Sequence, residues 1–307
     1  CISSAASDVY KRQSMTNWFR LRRRIRTRLV AGIAAALGFA LMLSGCGQIQ
    51  VTTVNGSPEG PTLAIGVAAD EPAIGAWHDG TYEGFDISVA KYVAAKLGYA
   101  NKQIVFKQVR PANRASMLNN GQVDMVVASW AITDGSKAEA DFAGPYLRTG
   151  VGLLIRTDDR ADFAQAGDGI GDITDRMVCI VKGDDTADLF RANHPKAQFQ
   201  ERDSYAQCVT AVQVGSADAI ASDMAVLSGL RQANGPQYMT VLQDEGSVEY
   251  GIAVSQGTPQ LAQKISEALK DMIADGSWES ARAELKRQTR LTVTREVDPQ
   301  AIVSDAE

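Results

Sequence analysis

Three short stretches place polar and charged residues where apolar runs end: "ASWAIT" (Ala128–Thr133), "VKGDDT" (Val181–Thr186) and "SDM" (Ser222–Met224). They bring together the hydroxyls of Ser129 and Thr133 and the carboxylates of Asp184, Asp185 and Asp223. A fourth stretch, the exit of the first apolar run, offers Asp70, Glu71 and Trp77. Carboxylates so placed hold an ammonium. A ligand carboxylate needs a bidentate arginine or backbone N–H groups at a helix start. No GxSxG, phosphate loop or metal-spaced His/Glu cluster occurs. The two histidines, His78 and His194, show no ligand spacing with a cysteine. The expectation from these patterns is no catalysis, metal or cofactor.

The elements that carry these residues alternate. "TLAIGVA" reads as a strand and "DISVAKYVAAKLG" as a helix: Ala90, Val93, Ala94 and Leu97 share one face, with Asp86 as N-cap and Gly98 as stop. "QIVFKQV" (strand), "ANRASMLNNG" (helix) and "VDMVVAS" (strand) follow. The grammar restarts with "MVCIVKG", "TADLFRANH", "AQFQERD", "SYAQCVTAVQVG" and "ADAIASD". Gly121 and Asp124 recur as Gly215 and Asp218 ahead of matching strands. Strand–helix alternation predicts an α/β fold of two similar lobes, each a parallel-rich sheet flanked by helices. Ligands in such sheets sit at the carboxyl ends of the strands, which puts the named residues on a cleft between the lobes. The tail offers a strand, "EYGIAVSQG", and an amphipathic helix, "PQLAQKISEALKDMIADG", that return to the first lobe. The expected division is 61–146 with 251–291 for lobe 1, 151–245 for lobe 2, and 292–307 as a flexible tail. The chain crossings are expected near Tyr146–Gly150 and Gly246–Tyr250.

Ahead of the lobes, arginines at 20, 22, 23, 24, 26 and 28 precede an apolar run from Leu29 to Leu43. A basic start, a short apolar stretch and small residues describe a secretory signal. "LSGC", ending in Cys46, resembles the lipobox of bacterial lipoproteins, which implies a diacylglycerol on Cys46 and cleavage before it. Residues 15–45 are thus read as signal peptide and 46–60 as a tether. Residues 1–14 are read as an artefact of sequence assembly, the natural start being Met15. The full chain has 31 basic and 36 acidic residues; taking away the first 45 removes 8 and 1 and leaves 23 and 35, a net charge of −12. That balance excludes a basic nucleic-acid footprint. Cys179 and Cys208 remain as one pair. In an exported chain they are most simply read as a disulfide, with two buried thiols as the alternative.

"YEGFDISVAKYVAAKLGY", "NRASMLNNGQVDMVVASWAIT" and "DFAGPYLRTGVGLLIR" resemble the signatures of bacterial solute-binding protein family 3, the extracellular receptors of polar amino-acid ABC transporters. "DSYAQCVTAVQVGSADAIASD" is closer to the glutamate-binding lipoproteins, which also pair a strand cysteine with this helix cysteine. The resemblance implies a two-lobed periplasmic-binding-protein-like (type II) fold. It implies a monomeric receptor outside the cytoplasm, anchored to a membrane by N-terminal lipid, that hands a small polar amino acid, glutamate first, to a permease and its ATPase. Asp223 matches the family's ammonium-binding aspartate. Arg114 matches the arginine that meets an acidic side chain, and Ser129 and Thr133 match small polar residues of the site. Two departures stand out. Ser136 replaces the arginine that clamps the ligand's α-carboxylate, with Lys137 beside it. Asp184-Asp185 replace a usual Ser-Thr after Gly183. A ligand sensor for another membrane protein, or a dehydratase-like enzyme on the same scaffold, are the alternative readings.

Overall fold

The structure is a computed structural model that describes residues 58, 60–164, 169–294 and 296–303. The arginine-rich leader, Cys46 and most of the tether lie outside the described residues. Among the described residues no helix is long and apolar enough to cross a membrane.

The chain runs through β1 (Leu63–Val67), β2 (Asp70–Glu71), β3 (Gly75–His78), β4 (Thr81–Glu83), α1 (Phe85–Lys96), β5 (Ile104–Gln108), α2 (Arg114–Asn119), β6 (Met125–Val127) and a short α3 (Asp134–Lys137). The long β7 (Asp141–Arg156) leads to α4 (Arg160–Phe163), β8 (Met177–Val181), α5 (Asp185–Asn193), β9 (Gln198–Arg202), α6 (Tyr205–Gln213), β10 (Ala219–Asp223) and α7 (Met224–Ala233). A second long strand, β11 (Met239–Val254), is followed by α8 (Pro259–Ala274), α9 (Ser277–Thr289) and β12 (Gln300–Ile302).

Two parallel triplets carry the lobes. β5, β1 and β6 pair in parallel in the first, and β10, β8 and β9 in the second. The sheet order β5-β1-β6-β11-β7-β10-β8-β9 shows what joins them: β7 and β11, antiparallel to one another along almost their whole length. The crossings expected at Tyr146–Gly150 and Gly246–Tyr250 fall inside these strands, where Ser247 pairs with Gly150 and Tyr250 with Leu147. The connection is thus a hydrogen-bonded ribbon. A 16-residue strand exceeds the usual 3–10, so the sequence pattern predicts two crossings and not one paired ribbon.

The repeated Gly/Asp motif has a structural cause. Asp124 accepts from the backbone N–H of Ala64 through Oδ2 (2.7 Å) and returns its own N–H to the Ala64 carbonyl. Asp218 does the same with Met177 (2.8 Å). Each aspartate fastens the start of one strand to the start of its parallel neighbour.

Three expectations are corrected. Asp86 is not the N-cap of α1; Gly84 is, at φ 123, and a Cβ there would come within 2.3 Å of the Ile74 carbonyl oxygen. The stretch from residue 292, read as a flexible tail, contains β12, which pairs with β7 from Phe142 to Gly144. Val293 is buried, and Leu291, Val297 and Ala301 pack on the core. A three-residue strand is too short to show an alternation. Helices α7 and α9 and the β2–β4 hairpin sheet were not expected either. Cys179 and Cys208 are bridged, joining β8 to α6 within the second lobe with their Cα atoms 5.6 Å apart.

Candidate functional site

The strands' carboxyl ends do converge, and what they assemble is mostly acidic. Asp223 closes β10 and caps α7, its Oδ1 accepting from Ala225 N (2.9 Å) and Val226 N (3.1 Å). Thr149 on β7 accepts a further bond from Ala225 N. Asp223 is 2% exposed. Burial pushes its carboxyl up to about 7, against the nearby Tyr250 hydroxyl and the cap N–H groups, which favour the charged form.

Glu71 on β2 approaches Asp223 from the first lobe. It is likewise 2% exposed, and its Oε2 has no hydrogen-bond partner. Desolvation pushes its carboxyl well above the usual range, and the charges of Asp70, Asp86 and Asp223 push it further; only the Ser129 hydroxyl opposes. A buried carboxylate with one oxygen unpartnered is costly unless a cation or a proton neutralises it. The phenol oxygen of Tyr250 is also buried and makes no hydrogen bond of good geometry.

Asp86 forms the floor. It takes Ser129 N (2.7 Å) on one oxygen and the Tyr146 hydroxyl (3.0 Å) on the other. Burial raises it to about 7. Its bond to Ser129 holds that residue at φ 45, a strained position for a residue with a Cβ. The sequence carried a signal for this role: Asp86 lies on the buried face of α1 with Ala90, Val93 and Ala94. A carboxylate on an apolar stripe must find partners inside.

On the second-lobe side, Asp184 caps α5 through Thr186 N (2.9 Å). Its other oxygen accepts from the Tyr205 and Ser222 hydroxyls, each at 2.9 Å. Asp185, beside it, pairs with Arg114 from the first lobe. Arg114 is 3% exposed, donates a second bond to the Gly183 carbonyl and stacks on Trp130 with its guanidinium carbon 4.4 Å from the ring centroid. Gly183 sits at φ 79 against Ala112, where a Cβ would meet backbone atoms at 2.8–2.9 Å, so only glycine lets α5 come this close. Asp70 accepts from Tyr205 N (2.8 Å) at the start of α6, another bond between the lobes. Burial raises the carboxyls of both Asp70 and Asp185, against the opposing charges of Arg110 and Arg114 respectively.

Of the sequence candidates, Asp70, Arg114, Ser129, Asp184, Asp185 and Asp223 therefore come together, with Glu71. Thr133, Lys137 and Ser136 do not join them. Thr133 caps α3 by accepting from Ser136 N (3.0 Å), and Ser136, fully buried, answers by accepting from Thr133 N (2.8 Å) and donating to the Ala131 carbonyl (2.8 Å). Lys137 points outward and pairs with exposed Asp134 (2.6 Å). Trp77 is half exposed and packs edge-on against Tyr82. Tyr146, Tyr205, Ser222 and Tyr250 were missed, because a hydroxyl on a helix or strand has no spacing that distinguishes it from a core position.

Residues 63–284 match the model of the bacterial extracellular solute-binding proteins, family 3. The chain is 30% identical over 269 residues to the glutamate-binding protein GluB of Corynebacterium efficiens, covering 84% of this chain and 90% of that protein. It is 31% identical over 252 residues to the ABC transporter glutamine-binding protein GlnH of Bacillus subtilis, covering 78% and 90%. Its fold superposes on an ancestral arginine-binding protein bound to glutamine with a TM-score of 0.66 at 25% identity, covering 75% of this chain and 99% of that one.

Proposed function

The chain belongs to family 3 of the bacterial extracellular solute-binding proteins, and from that premise we propose that it captures a small amino acid between its lobes and delivers it to an ABC permease. The observation that carries the reading is the pair of buried carboxylates, Glu71 from one lobe and Asp223 from the other, whose charged neighbours among the described residues are acidic. An α-ammonium supplies the missing charge and donates to both. The lipid on Cys46 holds the receptor at the membrane face where the permease lies.

The side chain is the second question. Glutamate was the first expectation, resting on Arg114, and the corynebacterial relative is named for it. Arg114 is already paired with Asp185, however, and the other charges around Glu71 and Asp223 are acidic. A neutral amino acid such as glutamine, for which the Bacillus relative is named, keeps the ammonium contact, and its side chain asks for no cation. Titration calorimetry of the purified protein against the twenty amino acids tests the reading. A ligand at 100 times its Kd adds about 2.7 kcal/mol of stability, so a thermal scan gives the same answer independently. No heat and no shift with any amino acid overturns it.

A further inference from the structure

We propose that Asp185 sets the side-chain selectivity of this receptor: by occupying the guanidinium of Arg114 it does from within what an acidic side chain would otherwise do, so the cleft takes neutral or cationic amino acids and rejects glutamate and aspartate. This rests on the reading that the cleft binds an amino acid.

Arg114 is the one arginine buried in this cluster among the described residues. Its surroundings are built to hold a planar cation. Trp130 covers one face, the Gly183 carbonyl takes one N–H, and Nε remains without a partner. A free guanidinium here would be a strong site for a carboxylate, because Arg presents a fork of donors that matches its two oxygens. Asp185 fills that role from the opposite lobe. The other groups facing it make matters worse for an anion: Asp184 and Glu139 both act on Asp185 as like charges. Nor can a ligand's side-chain carboxylate turn to the Thr186 N–H at the start of α5, because Asp184 already accepts from it.

Placement fixes this role. Asp185 is the first residue of α5, and Gly183, two residues earlier, is pressed on Ala112, two residues before Arg114. The backbone contact therefore holds Asp185 at the guanidinium whenever the lobes stand as they do here. A ligand carboxylate must displace an internal one at very high effective concentration.

The experiment uses two ligands that differ in charge and hardly in shape, L-glutamine and L-glutamate. Calorimetry is run on wild type, Asp185→Asn, Asp185→Ser, and Asp185→Ser combined with Arg114→Met. Wild type is expected to favour glutamine. Asp185→Asn and Asp185→Ser are expected to move the glutamate-to-glutamine affinity ratio toward glutamate by roughly 10- to 100-fold, the worth of a charge-assisted bond. Adding Arg114→Met is expected to cancel that gain. Thermal scans identify any variant that fails to fold, and the isosteric Asp185→Asn then decides. An unchanged ratio, with glutamine still bound, overturns the role of Asp185 while leaving the receptor reading standing. Equal weakening of both ligands also overturns it, since the ion pair would then act only to hold the lobes together. A wild type that already prefers glutamate overturns it as well. Absence of binding by any amino acid to wild type and variants overturns the receptor reading with it.

Discussion

The two edges of the cleft are built on matching scaffolds and end in opposite ways. In each lobe a parallel strand triplet is fastened by one aspartate, Asp124 or Asp218, to a backbone N–H at the start of the neighbouring strand. Beyond that shared point the first-lobe edge, Ser129 to Lys137, closes on itself. Ser136 and Thr133 satisfy one another, and Lys137 turns to solvent. The second-lobe edge keeps Asp184, Asp185 and Asp223 buried or nearly so at two helix starts. Scaffold and charge are therefore separable. The strand ends set where these side chains stand, and the residues just past them set the charge there.

The largest test of this asymmetry is Asp223. On the proposed function, removing it deletes the second-lobe partner of the ligand's ammonium and leaves that charge buried, a loss of about 3–5 kcal/mol for a buried pair. Asp223→Ala should therefore abolish measurable binding. It also removes the α7 cap, about 1 kcal/mol of stability. Asp223→Asn separates the two effects, since its side-chain oxygen still caps but carries no charge. Calorimetry should show binding lost in both variants, and thermal scans a lower melting point mainly in the alanine. Wild-type affinity in Asp223→Asn would show that the second-lobe edge does not carry the ammonium.

Next comes the disulfide, which only the second lobe possesses. The bridge closes a separation of 29 residues, worth about 3–4 kcal/mol in the chain-entropy model. Reduction should lower the melting point. Hydrogen exchange should then speed up in β8 and α6 and leave β1 and α1 unchanged. Uniform loss of protection would mean that the ribbon β7/β11 couples the lobes into one cooperative unit.

The pH dependence follows from the same excess of acid. Asp223 and Asp86 are raised to about 7 and Glu71 well above its usual range, all chiefly by burial. A folded pKa above the unfolded value near 4 gives stability that is complete below that value and is lost as the pH rises through about 7. The ligand-free protein should thus melt higher at pH 5.5 than at pH 8. An ammonium reverses the preference, because it favours the ionised carboxylates. Amino-acid affinity should rise with pH through 7, by up to about one decade per unit for each proton released. Calorimetry in buffers of different ionisation heat counts those protons, and none released would place the ammonium away from Glu71 and Asp223.

Much of the fold was legible because periodicity and turn residues are local. The strands that open each lobe, "LAIGV" and "MVCIV", and the α1 stripe of Ala90, Val93 and Ala94 lie where their patterns put them. Asp223 and Asp184 were legible as acids at strand ends. What stayed hidden was set by distant partners. Glu71 was noticed only as one of several exit-loop residues, since its burial depends on the other lobe. Asp86 read as a cap because the glycine that displaces it is constrained by the Ile74 carbonyl. Arg114 carried the expected position, yet its pairing with a residue 71 positions away has no local trace.

The smallest effect tests the first-lobe edge itself. Ser136 stands where the family resemblance puts a carboxylate-clamping arginine, but Ser136→Arg does not fit this backbone. Ser136 is fully buried, and its hydroxyl accepts from Thr133 N while donating to the Ala131 carbonyl. An arginine there must break the Thr133–Ser136 cap and find room for a guanidinium among neighbours that are already packed. The informative variant is Ser136→Ala, which removes only the hydroxyl. It leaves Thr133 N and the Ala131 carbonyl short of one partner, a loss of about 1 kcal/mol, comparable to a missing helix cap. Affinity should stay within about twofold of wild type if the ligand is held at Glu71 and Asp223, since Ser136 and Thr133 bond to one another. Denaturant melts and calorimetry on one preparation measure both quantities. If Ser136→Ala keeps full stability and loses tenfold or more in affinity, the first-lobe edge does reach the ligand, and the division drawn here between a closed edge and a charged one fails.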